Sequence, residues 1–151
     1  MSLLTVESRK FRTDLVAYTH AMAAAQAASE KKAERIAVLD LSAISTMADY
    51  FVICSVRTDT HARAVRQAVT EALEGHGLVL KSREGVDSSG WILLDAGDVI
   101  VHIFNEDQRA YYCLEQLWGD APSMQLPDEE SVSNSLDGDM PARYNETRLT
   151  N

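Results

Sequence analysis

The chain has 151 residues, 46% of them apolar and 25% charged. That is enough to bury one core, and the composition excludes a fibrous or wholly disordered protein. Its formal net charge of −9 repels phosphate, so a grip on nucleic acid through lysine and arginine is disfavoured and a basic protein partner is the better match. The first residues, MSLLTVESRKFRTD, are too charged for a secretory h-region, and no apolar run approaches the ~20 residues that span a bilayer. The expectation is a soluble, cytoplasmic chain whose two cysteines, Cys54 and Cys113, are reduced and buried.

In chain order, Leu15, Tyr18, Met22 and Ala25 recur at helical spacing between Thr13 and about Lys32, around an alanine-rich run of high helix propensity. RIAVLDL (Arg35 to Leu41) and YFVICSV (Tyr50 to Val56) have strand composition and are joined by a polar loop. TDTHARAVRQAVTEALEGHG opens on capping residues, carries Val65, Ala68, Val69, Ala72 and Leu73 on one stripe, and closes on glycines. LVLKS reads as a third strand. A hairpin follows, Trp91 to Leu94 and Val99 to Phe104, with DAGD as a four-residue turn. In that register Leu94 faces Val99, Leu93 faces Ile100 and Trp91 faces His102. Asn105 then caps a last helix ending at Gly119, with Gln108 placed to complete a capping box.

The fold class expected is α/β, a mixed five-stranded sheet flanked by helices, within a domain of residues 1–118. All three prolines follow Trp118, and the acidic segment from residue 119 to 151 shows neither helix nor strand period. It reads as a largely disordered tail.

The stretch GWILLDAGDVIVHIF gathers Trp91, Asp95, Asp98 and His102. His102 shares a strand face with Ile100 and Phe104 and has no second ligand at metal spacing, so it reads as a packed side chain with one hydrogen-bond partner. A phosphate loop, GxSxG, HExxH and CxxC are all absent from the sequence. Asp95 and Asp98 as the metal pair of a nucleotidyl- or phosphotransferase therefore remain only the alternative reading. Position alone leaves Trp91 either the rim of the core or an aromatic anchor for a partner.

Four blocks, VLDLSAISTMADYFVICS, TDTHARAV, GWILLDAGDVIVHIF and YYCLEQLW, between Ala33 and Trp118, resemble the ribosomal silencing factor family, also called Iojap or YbeB-like. The resemblance implies a fold similar to nucleotidyltransferases, although the Gly-Ser helix start and D-x-D strand pair those enzymes need are missing here. It further implies a non-enzymatic, cofactor-free repressor of translation. Such a protein binds the large ribosomal subunit through ribosomal protein L14, blocks subunit joining under nutrient limitation, and forms homodimers. By that resemblance Trp91 belongs to the partner-binding surface. Tyr50, Arg83, Asp95 and Tyr112 are added as further candidates, and neither a metal nor a membrane is expected.

Overall fold

The computed structural model describes residues 10–128. Helix α1 (Val16–Glu30) leads into β1 (Glu34–Asp40) and β2 (Tyr50–Val56), followed by α2 (Asp59–Gly75), β3 (Ser82–Glu84), β4 (Trp91–Asp95) and β5 (Val99–Asn105). Two short helices, α3 (Glu106–Tyr112) and α4 (Leu114–Leu117), and a last strand, β6 (Ser123–Leu126), complete it. The strands form one mixed sheet in the order β3-β4-β5-β2-β1-β6, with β2 and β5 parallel and every other pair antiparallel. The α2 crossover between β2 and the hairpin makes that parallel pair possible.

The sheet therefore has six strands where five were expected. The additional one, β6, pairs Ile36 with Leu126 and Leu39 with Ser123, so the segment after residue 119 contributes a strand to the fold. Met124 and Leu126 supply the apolar contacts that hold it. The remainder of the tail, from residue 129, lies outside the described residues. The third strand also sits later than LVLKS. Val79 is exposed, and pairing begins at Ser82, opposite Asp95.

One face of the sheet is covered by α1 and α2. In α1 the buried residues include Ala17, Ala21, Ala24, Ala28 and, as expected, Ala25, while Leu15, Tyr18 and Met22 flank them. Small side chains let the helix axis approach closely, so the buried stripe is the alanine one rather than that of the larger residues. Helix α2 buries Ala62, Val65, Val69 and Leu73, and the Thr58 hydroxyl accepts the His61 amide at 3.0 Å as its cap. Val38, Val52, Cys54, Val101 and Ile103 meet these helices from the sheet. Burial pushes the Cys54 thiol up to about 12, so it stays protonated. Cys113, expected to be buried too, is only partly so.

The hairpin register differs from expectation by two residues. Trp91 pairs with Phe104, Leu93 with His102, Leu94 with Val101 and Asp95 with Ile100. The cause is the turn. Gly97 takes φ +97°, and the Ala96 amide donates to the Val99 carbonyl at 2.9 Å, so the loop is the two residues Gly97 and Asp98 rather than four. Asp95 is consequently a strand residue.

The last helix divides at Cys113, whose backbone is left-handed (φ 50°, ψ 50°). The break turns Leu114 and Trp118 onto the second sheet face, against Leu39, Phe51, Ile53 and Phe104. Buried Arg109 ties the two halves together, donating to Glu115 at 2.6 and 3.0 Å and to the Ser55 hydroxyl at 2.9 Å. Asn105 caps α3 by accepting the Gln108 amide at 2.8 Å. The reciprocal half of the capping box is displaced, because the Asn105 amide donates to the Gly90 carbonyl at 2.9 Å. Asn105→Ala is expected to cost about 1 kcal/mol, read as a lower urea midpoint.

Candidate functional site

The second face of the sheet is only partly covered. The two short helices lie over β2 and the end of β5, leaving the side chains of β4 that alternate onto this face, Trp91, Leu93 and Asp95, accessible to different degrees. Trp91 is placed by the loop before it. Asp87 accepts from Arg66 at 2.8 Å and from Arg63 at 3.4 Å, which pins that loop to α2 and holds the Asp87 carboxyl below its usual range, Arg66 being the main cause. Gly90, at φ +86°, then admits the chain where a Cβ would meet Asn105 Nδ2 and Gln108 Cγ at 2.8 Å.

The Trp91 indole is braced on three sides. It stacks on Phe104 with centroids 5.0 Å apart and 29° between planes, and packs against Tyr112 at 4.4 Å. Its Nε1–H donates to His102 Nδ1 at 3.1 Å. The ladder places His102 opposite Leu93, yet the indole reaches it diagonally. Tyr111 stands perpendicular to Tyr112 at 5.0 Å and is 79% exposed, and Tyr112 itself is 44% exposed. Beside Trp91 lies a groove of about 230 Å³ lined by Glu84, Gly85, Trp91 and Leu93. Its one charged lining residue is an exposed carboxylate, which suits a cationic side chain.

Of the five candidate partner-binding residues, the structure brings Trp91 and Tyr112 into contact. Asp95 shares their face of β4, with Oδ1 accepting the Gly97 amide at 2.9 Å. Arg83 stands apart. It is exposed on edge strand β3, but it pairs with Leu94, whose side chain is in the helix-side core, so register assigns it to the opposite face. Tyr50 is corrected outright: its side chain is fully buried under α1, with the hydroxyl donating to the Arg12 carbonyl at 2.5 Å and the ring 5.8 Å from Phe11 and 6.2 Å from Tyr18. Burial raises the phenol to about 12. Tyr50 opens β2, but in the parallel pairing with Val99 it lies in the sheet's interior. Leu93, Tyr111 and Phe104 were not singled out from the sequence, although period-two alternation from Trp91 marks Leu93.

The carboxylate pair of the alternative reading is divided. Asp98 Oδ2 contacts His20 Nδ1 of α1 at 2.9 Å, whereas Asp95 projects from the other face of the sheet. Among the described residues, no group of three or more His, Cys, Asp or Glu is arranged to hold a metal ion. No helix among them is long and apolar enough to cross a membrane.

His102 is buried at 3% exposure, and burial holds it down to about 4 from an ordinary 6.5. The unfolded chain therefore takes up a proton between those values that the native state refuses. Stability from this group is complete above about pH 6.5 and is lost as pH falls toward 4. His102→Phe is expected to shrink the stability difference between pH 7 and 4.5 by about 2–3 kcal/mol relative to wild type, as measured by urea unfolding at both.

Residues 16–149 match the family model described as ribosomal silencing factor during starvation, extending on both sides of the blocks quoted above. The ribosomal silencing factor RsfS of Bacillus subtilis is 45% identical over 103 residues, which cover 68% of this chain and 87% of that protein. A crystal structure from Chromobacterium violaceum aligns with a TM-score of 0.64 at 30% identity, covering 67% of this chain and 84% of that one. Another, from Bacillus halodurans, aligns at 0.60 and 36% identity, covering 70% and 95%. With a family model spanning most of its length and a relative at this identity, the chain belongs to the ribosomal silencing factor family.

Proposed function

We propose that the chain is a non-enzymatic translation repressor of the cytoplasm that docks on the large ribosomal subunit through ribosomal protein L14 and sterically prevents the small subunit from joining when nutrients are scarce. The observation that carries this reading is the Trp91 indole, partly open to solvent and braced on Phe104, His102 and Tyr112 next to an acid-lined groove. Preset aromatic anchors are what protein interfaces concentrate their binding energy in, and a net charge of −9 favours a basic ribosomal protein over bare RNA. An interface of ordinary size, on the order of 800 Å² per partner, suffices. At ~100 times its dissociation constant, such a blocker opposes joining by about 2.7 kcal/mol.

The same face serves self-association in this reading, so the homodimer and the ribosome-bound form compete for it. The test is co-sedimentation of the full chain with purified large or small subunits. Retention by large subunits alone, rising less than in proportion to total protein once dimers form, is the expected result. Loss of the chain from both pellets contradicts the docking role.

A further inference from the structure

His102 is an unexpected residue for its location. Its ring lies 4.6 Å from Phe51 and runs nearly parallel to Phe104, 9° between planes at 6.1 Å, with apolar Leu93 across the ladder. The indole N–H of Trp91 can only donate, so Nδ1 carries the lone pair and the neutral ring keeps its proton on Nε2. Nε2 is buried and has no hydrogen-bond partner among the described residues. A phenylalanine would fill the same space without an orphaned N–H, and buried orphans are unfavourable. What the imidazole adds is one acceptor, aimed at Trp91.

We infer that His102 is a positioning residue for Trp91: its Nδ1 fixes the rotation of the indole on the Phe104 ring, so the outward edge is presented in a single orientation before a partner arrives. Ordering the anchor in advance removes part of the entropy lost on docking. This rests on the reading of Trp91 as a ribosome anchor and adds to it the group that sets the anchor's geometry.

Two substitutions separate positioning from packing. His102→Phe keeps a ring in the aromatic layer and removes the acceptor. His102→Asn places a carbonyl oxygen near the Nδ1 position and gives up most of the ring. The experiment measures binding of both full-length variants, wild type and Trp91→Ala to purified large subunits. It also records the Trp91 indole N–H resonance, assigned with Trp91→Phe. Expected are roughly tenfold weaker binding and an upfield, faster-exchanging indole signal for His102→Phe, with His102→Asn within about threefold of wild type on both readouts. A purely packing role reverses that order, so wild-type binding by His102→Phe, or weaker binding by His102→Asn than by His102→Phe, overturns the inference. An unmoved indole signal in folded His102→Phe overturns it independently, even if His102→Asn does not fold. If instead wild type is not retained by large subunits, or Trp91→Ala binds as wild type does, the anchor reading fails while the indole signal still decides whether His102 holds the ring.

Discussion

Trp91→Ala is expected to weaken binding to the large ribosomal subunit by roughly thirtyfold or more, about 2 kcal/mol, with the secondary structure unchanged. Trp91 begins β4 next to the pinned Asp87 loop, so its backbone is held by neighbours that do not depend on the indole. Truncation removes the partly exposed ring from its place against Tyr112 and Phe104 and leaves His102 Nδ1 without its donor. The surface thereby loses its largest apolar element at the point where the groove opens. Titration of large subunits with fluorescently labelled wild type and variant measures the loss, and circular dichroism of the free variant checks the fold. Equal affinities would remove Trp91 from the interface.

Phe104→Ala is expected to cost about 3–5 kcal/mol of stability, a large share of the total for a domain of this size. Phe104 is completely buried in the interior strand β5, stacked between Trp91, His102 and Tyr112, and it immediately precedes the Asn105 cap of α3. Its removal opens a cavity under the anchor and loosens the seat of the helix that carries Tyr112. The urea midpoint should fall while the m-value holds, and subunit binding should fall with it even under conditions where the variant remains folded. Val16→Ala, at an exposed position of α1, is the contrasting control and should stay within about 0.5 kcal/mol.

The order of the main elements was legible because each carries its own local signal: the β-branched and aromatic run YFVICSV, and the Val65, Val69 and Leu73 stripe of α2. What failed were features set by partners far along the chain. The tail segment Ser123–Leu126 has little strand character by itself and becomes β6 because β1 offers an unpaired edge. The hairpin register turned on whether Gly97 closes a two-residue loop, which composition leaves open, since DAGD reads equally as a longer turn. The helix break at Cys113 carries no glycine or proline to announce it; the packing of Leu114 and Trp118 on the sheet imposes it.

The candidate site divides along the same line. Trp91 and Tyr112 come from blocks that resemble the family, and the fold brings them to 4.4 Å. Tyr50 comes from such a block too, yet its side chain alternates to the helix face and is buried there, because strand parity decides the outcome. His102 was legible as a packed residue with one hydrogen bond. Which group it bonds required the register of β4 against β5 and the diagonal reach of the indole.

A sedimentation profile of mixed small and large subunits reports whether the chain occupies the joining face of the large subunit as proposed. With the wild-type chain at ~100 times its dissociation constant, separate subunit peaks are expected. Trp91→Ala at the same concentration stands at only about three times its own constant after a roughly thirtyfold loss, opposes joining by about 1 kcal/mol, and leaves a partial joined-ribosome peak. A joined-ribosome peak undiminished by saturating wild-type protein would contradict the proposed occupancy.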